Sequence, residues 1–270
     1  MRNLLLNIGK KSKKAFLRQI NTSRKNKVLK DYSNLITKNK KLILKQNLKD
    51  VKNAQRKKIN DNLIKRLILN NKTIIRITHP INNIIKLKDP TNLVLESWKR
   101  PNGLKISKVT IPIGVISVIY ESRPNVTADV AALCFKSGNS VILKGGSEAF
   151  YSNKILSNFF RKALKKNKVD ENFVQFIDIK KRSVVDFLLT KMRKFIDVMI
   201  PRGGKSLVKK VQSLSNIPTI GHLEGICHSY VDKDANPKIA QKVIHNAKWR
   251  NTAICAATET ILLHEKIIKK

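Results

Sequence analysis

Two stretches of this chain share the form strand, paired glycines, helix: Leu143-Lys144-Gly145-Gly146-Ser147 and Ile200-Pro201-Arg202-Gly203-Gly204-Lys205-Ser206. Glycine lets a backbone approach a ligand closely, and a helix N-terminus offers free N–H groups and a positive dipole to an anion. Taken alone, each stretch is explained as well by a tight turn as by a phosphate. Neither matches G-x-G-x-x-G. The second ends in Gly-Lys-Ser but is no Walker A loop, because the required earlier glycine position is Met199. In one parallel sheet, the two together point to a dinucleotide.

A nucleophile has three candidates, Cys134, Cys227 and Cys255. Cys134 lies in VAALCFKSG, where a buried helical thiol is a core residue. Cys227 precedes His228, and an adjacent His lowers a thiol pKa. In a strand, however, neighbours point to opposite faces, which argues against a dyad. Cys255 stands among small residues in RNTAICAATETILL, leaving room for a substrate. The residues lean toward Cys255 and leave Cys227 open. A metal site from His222, Cys227, His228, His245 and Cys255 fits no zinc module spacing, so none is expected. Glu224, in HLEGICH, is expected to be structural or to bind substrate.

These groups need a scaffold. Ile113 to Tyr120 is an apolar, β-branched run that reads as a strand buried on both faces. Arg123-Pro124-Asn125 breaks it, Thr127 is the expected N-cap of a helix through Lys136, and Ser140 to Lys144 is a second buried strand. Strand, helix, strand within about thirty residues is a βαβ unit, and ligands sit beyond the carboxyl ends of such strands. Those ends carry Asn125 and Lys144 to Ser147. Upstream, apolar residues at helical spacing predict two or three helices to Arg56, then segments at Asn60–Leu69 and Ile74–Lys88, the latter disturbed by Pro80. Val94 to Val109 reads as a hairpin around Asn102-Gly103, both residues accepting positive φ. Downstream, strands are expected at Phe173–Ile177, Phe195–Ile200, Pro218–Ile220, Cys227–Val231 and Thr260–His264. Helices are expected at Phe150–Lys165, Ser183–Leu189, Lys205–Ser213 and Pro237–Trp249. This alternation predicts an α/β fold with a doubly wound parallel sheet.

With 270 residues and 41% hydrophobic residues, the chain has enough material for a large core. Its net charge of +38, from 56 Lys+Arg against 18 Asp+Glu, invites a nucleic-acid reading. The lysines are spread along nearly every helical segment beside Asn and Ile, which fits a compositional bias on solvated faces better than a binding patch. No nucleic-acid partner is expected. No apolar run reaches the roughly 18 residues that span a bilayer, so no membrane partner is expected either. Three cysteines without CxxC spacing fit a reducing compartment.

The block YESRPNVTADVAALCFKSGNSVILKGGSEA resembles the corresponding block of the glutamate-5-semialdehyde dehydrogenases, or gamma-glutamyl phosphate reductases, of the aldehyde dehydrogenase superfamily. The resemblance implies a Rossmann-like cofactor domain at residues 1–249, with N-terminal helices and with the projecting hairpin 94–109 as an oligomerisation element. It implies only the start of a catalytic domain at residues 250–270. It also implies NADPH-dependent reduction of L-glutamyl 5-phosphate to L-glutamate 5-semialdehyde and phosphate in the cytoplasm, through a thioester on Cys255. The family's nucleophile lies in a segment matching this one, before the strand Glu259 to Leu263. Asn125 matches the family's oxyanion donor and Lys144 its ribose-binding lysine. Pro201, Arg202, Gly203, Gly204 and Lys205 match the loop beside the pyrophosphate.

Where NAD-preferring relatives often place an acid, this chain has Ser147, which would not repel the 2′-phosphate of NADP(H) that Lys144 would attract, while Glu148 next door works the other way. The implied partners are a second copy of the chain and glutamate 5-kinase. Family members continue well beyond the segment of Cys255. The 270 residues are therefore expected to be inactive alone, and a non-catalytic NADP-binding fragment or half of a split enzyme is the alternative.

Overall fold

The computed structural model describes residues 1–121, 123–221, 225–252 and 254–268, the side chain of Asn62 excepted. The periodic apolar pattern upstream becomes five helices: α1 (Arg2–Phe16), α2 (Thr22–Lys38), α3 (Lys40–Arg56), α4 (Asp61–Leu67) and α5 (Asn71–Lys86). Pro80 lies inside α5 without ending it. The lost N–H bond is offset by burial of Ile74, Ile77, Ile81 and Ile84 along one face.

The hairpin pairs β1 (Val94–Lys99) with β2 (Lys105–Val109). Its turn differs in detail from the expected one. Gly103 takes φ 89°, while Asn102 is not among the positive-φ residues. The Gly103 N–H donates to the Arg100 carbonyl and the Arg100 N–H to that of Leu104. This is a three-residue loop with glycine alone in the left-handed region.

The rest of the alternation follows in order: β3 (Val115–Tyr120), α6 (Pro124–Lys136), β4 (Ser140–Gly145), α7 (Phe150–Lys166), β5 (Val174–Phe176), α8 (Ser183–Lys191), β6 (Val198–Arg202) and α9 (Lys205–Leu214). The strands form one parallel sheet in the order β5-β4-β3-β6. The expected strand at Pro218–Ile220 is reduced to a single bridge from Thr219 to Met199. Successive residues of β3 serve opposite faces. Ile116, Val118 and Tyr120 join the core beneath α2, α5, α6 and α7, while Val115 and Ile119 join the one beneath α1, α8 and α9. That is a doubly wound sheet, and it explains why β3 reads as a continuous apolar run.

These elements belong to one compact unit, Met1–Gly221. A second, His222–Lys270, contains the parallel pair β7 (His228–Val231) and β8 (Thr260–Leu263) with α10 (Pro237–Trp249) between them. Among the described residues, no helix is long and apolar enough to cross a membrane.

Candidate active site

Strand register assembles the site in the first unit. Tyr120 lies opposite Gly145 on one side and Arg202 on the other, so the carboxyl ends of β3, β4 and β6 are level. The Gly146 N–H donates to the Tyr120 carbonyl at 2.8 Å and the Glu121 N–H to that of Arg202 at 3.1 Å. The two glycine turns, with Gly146 and Gly203 57 residues apart in sequence, therefore flank one strand end.

Beyond these ends opens a cavity of about 490 Å³, with Tyr120, Glu121, Lys144, Ser147, Lys180 and Arg182 on its wall. Gly145 and Gly146 also line it, and α9 contributes Ser206, Leu207 and Lys210. Lys144 is buried, and its ammonium donates to the Gly145 carbonyl at 2.9 Å. Burial pulls its pKa below the ordinary lysine value, with the Glu148 carboxylate working the other way. Ser147 donates to Glu148 at 2.8 Å. A Cβ at Gly145 would overlap the Asn153 side chain, so only glycine allows this close approach.

In the second turn, Pro201 is buried while Arg202, Gly203, Gly204 and Lys205 are exposed, Lys205 being the first residue of α9. The Gly204 N–H donates to Glu121 Oε2 at 2.9 Å, and a Cβ at Gly203 would lie 2.6 Å from the Glu121 carboxyl carbon. The residues thus fit a dinucleotide: backbone N–H groups at a helix N-terminus, glycines allowing close approach, and cations around a cavity at the strand ends.

The expectation that Thr127 caps α6 is corrected. The helix begins at Pro124, with Arg123 as its N-cap, because proline's fixed φ and missing N–H suit the first helical turn. Thr127 is fully buried and donates to Asn153 Oδ1 at 3.0 Å, while the Tyr120 hydroxyl donates to it at 2.6 Å. Asn125 is the second residue of α6 and exposed, its amide donating to Asp129 Oδ2 at 3.2 Å one turn later. Burial raises the Asp129 pKa, with the bond from Asn125 working the other way.

Burial pushes the Cys134 thiol up to about 12, which leaves it protonated and unreactive at neutral pH. In the second unit Cys255 is exposed, and the Cys227 thiol donates to the Cys255 carbonyl at 3.2 Å. The His228 ring is turned to its own chain, Nδ1 lying 2.8 Å from the Ile226 carbonyl. Among the described residues, no three His, Cys, Asp or Glu side chains gather as for a metal. Glu224 and His222 lie outside the described residues.

Glu121, Lys180, Arg182 and Lys210 were not singled out from sequence. Lys180-Lys181-Arg182 does follow the expected strand ending at Ile177, and the strand-end rule applied there would have found it.

A model of the aldehyde dehydrogenase family matches residues 7–270, and the chain belongs to that family of oxidoreductases. It is similar to the gamma-glutamyl phosphate reductase of Thermodesulfovibrio yellowstonii, at 42% identity over 272 residues covering 100% of this chain and 65% of the relative. The crystal structure of the gamma-glutamyl phosphate reductase of Thermotoga maritima superposes with a TM-score of 0.92 at 40% identity, over 98% of this chain and 64% of that one. That of Saccharomyces cerevisiae gives 0.73 at 32% identity, over 97% and 66%. The chain thus spans somewhat under two thirds of the length of the reductases it matches.

Proposed function

We propose that the protein acts as an NADPH-dependent reductase of L-glutamyl 5-phosphate, releasing phosphate and forming L-glutamate 5-semialdehyde for proline synthesis. The observation that carries this reading is the cavity at Gly145, with its cations and the glycine-flanked start of α9, in a fold so close to that of the Thermotoga reductase. Lys144 to Ser147 would hold the adenosine ribose, and the loop Pro201 to Lys205 the pyrophosphate. Ser147 carries no charge of its own and the Lys144 ammonium attracts a 2′-phosphate, which favours NADP(H) over NAD(H), while the Glu148 carboxylate on Ser147 works the other way.

The bound cofactor supplies a hydride. The Cys255 thiolate attacks the acyl carbonyl, the C–O bond to phosphate breaks, and phosphate leaves with the bonding pair, giving a thioester. Once the carbonyl carbon is reduced, the C–S bond breaks, the thiolate is expelled and the aldehyde is released. The oxyanion formed at each addition needs donors, and this reading assigns the Asn125 amide and the Cys255 N–H. The Asn125–Asp129 bond fixes which way that amide turns. A homo-oligomer formed through the β1–β2 hairpin, a cytoplasmic location and cooperation with glutamate 5-kinase belong to the same proposal.

The test is a chimera in which the remaining third of the Thermotoga reductase follows Lys270. With L-glutamate 5-semialdehyde, phosphate and NADP⁺ it is expected to form NADPH, whereas the 270 residues alone are not. A chimera that binds NADPH and oxidises no semialdehyde refutes the assignment.

A further inference from the structure

The cations around the cavity are not equivalent. Lys210 pairs with Asp186 at 2.6 Å, and Lys144 is buried with its ammonium on the Gly145 carbonyl. Lys180 is held differently. Its ammonium lies 4.4 Å from the centre of the Phe150 ring and 4.8 Å from that of Tyr151. Aromatic faces attract an ammonium without supplying a neutralising charge, so they place Lys180 while leaving its donors for an anion.

The rings are themselves fixed. Phe150 and Tyr151 stand edge to face, 5.4 Å apart, at the start of α7, where the Asp50 carboxylate accepts the Tyr151 N–H at 3.0 Å and the Ser152 N–H at 2.8 Å. The charged groups nearby are the Asp50 carboxylate, Lys49 with its ammonium 5.6 Å from the centre of the Tyr151 ring, Lys154, which pairs with Asp178 and lies 5.8 Å from the centre of the Phe150 ring, and Glu148 and Arg182 on the cavity wall. Phe150 follows Ser147 by one turn of chain, so Lys180, brought in by the loop after β5, stands on the cavity wall that holds Ser147 and Lys144.

We propose that Lys180, cradled by Phe150 and Tyr151, is a cofactor-specificity residue that meets the 2′-phosphate of NADPH. The inference rests on the cofactor reading given above. A preformed cation loses little side-chain freedom when the phosphate arrives, and its contribution falls on the dinucleotide that carries the phosphate.

The 270-residue protein and its Lys180→Met and Lys180→Arg variants would be titrated with NADPH and NADH by calorimetry. The natural protein is expected to bind NADPH more tightly. Lys180→Met is expected to weaken NADPH about tenfold and leave NADH within about twofold, the size of a lost charge-assisted bond. Lys180→Arg keeps the charge and is expected to retain most of the preference, which a merely structural role would not require. An unchanged NADPH-to-NADH ratio in Lys180→Met overturns this inference and leaves the cofactor reading standing. A natural protein without preference, or one that binds neither dinucleotide, overturns both. Should Lys180→Met fail to fold, Lys180→Gln replaces it under the same criteria.

Discussion

The Glu121 carboxylate accepts the N–H of Gly204, the N-cap of α9, at 2.9 Å, and so occupies the place where a helix N-terminus would receive a phosphate. The residue that follows β3 and the loop after β6 are joined by this contact. On the proposed reading, this internal anion and the dinucleotide pyrophosphate would compete for the same donor.

Glu121→Gln is therefore expected to tighten NADPH and NADH alike, by about two- to fivefold, the scale of a charge at a helix N-terminus. Fluorescence titration of the variant checks this. Weaker binding would show that Glu121 holds the cofactor instead of yielding to it.

Lys144→Ala is expected to weaken NADPH more than NADH, since only NADPH carries the 2′-phosphate. Titration of both dinucleotides reads the difference. Equal losses would move Lys144 to the ribose alone or to supporting β4.

In the chimera, Asn125→Ala is expected to lower turnover by roughly 10²–10³ with NADPH affinity nearly unchanged, as for removal of one oxyanion donor. Steady-state kinetics and a titration on the same preparation separate the two effects. Unchanged turnover would remove Asn125 from the chemistry.

Asp89 provides a prediction about acid stability. Burial pushes its carboxyl up, but bonds from Thr22, Thr91 and Lys25 outweigh this and hold it at about 2, below the ordinary 3.8. A carboxyl whose pKa is lowered by folding stabilises fully above the unfolded value and loses that contribution as pH falls through the folded one. Asp89→Asn should cost about 2 kcal/mol at pH 7 and roughly half that at about pH 3. Urea melts of both proteins at the two pH values measure the gap, and a gap that stays constant contradicts the assignment.

The sheet was legible because β3 and β4 are buried on both faces, so their apolar runs could be read without knowing their neighbours. Lys144 to Ser147 followed from the position of a strand end. What sequence could not show is register. Only the level ends of Tyr120, Gly145 and Arg202 bring the two glycine turns beside one another and Glu121 to Gly204. Thr127 misled because a hydroxyl ahead of a helical run looks like a cap until Pro124 is seen to open the helix. The strand-end rule reaches the segment of Lys180, but among 56 Lys and Arg residues nothing local shows that this side chain rests on two aromatic rings.

The measurement closest to the central claim is semialdehyde-dependent NADPH formation by the chimera and by its Cys255→Ala variant, both first shown to bind NADPH. The account predicts phosphate-dependent turnover in the former and its abolition in the latter, with binding preserved. Turnover that survives Cys255→Ala would contradict it.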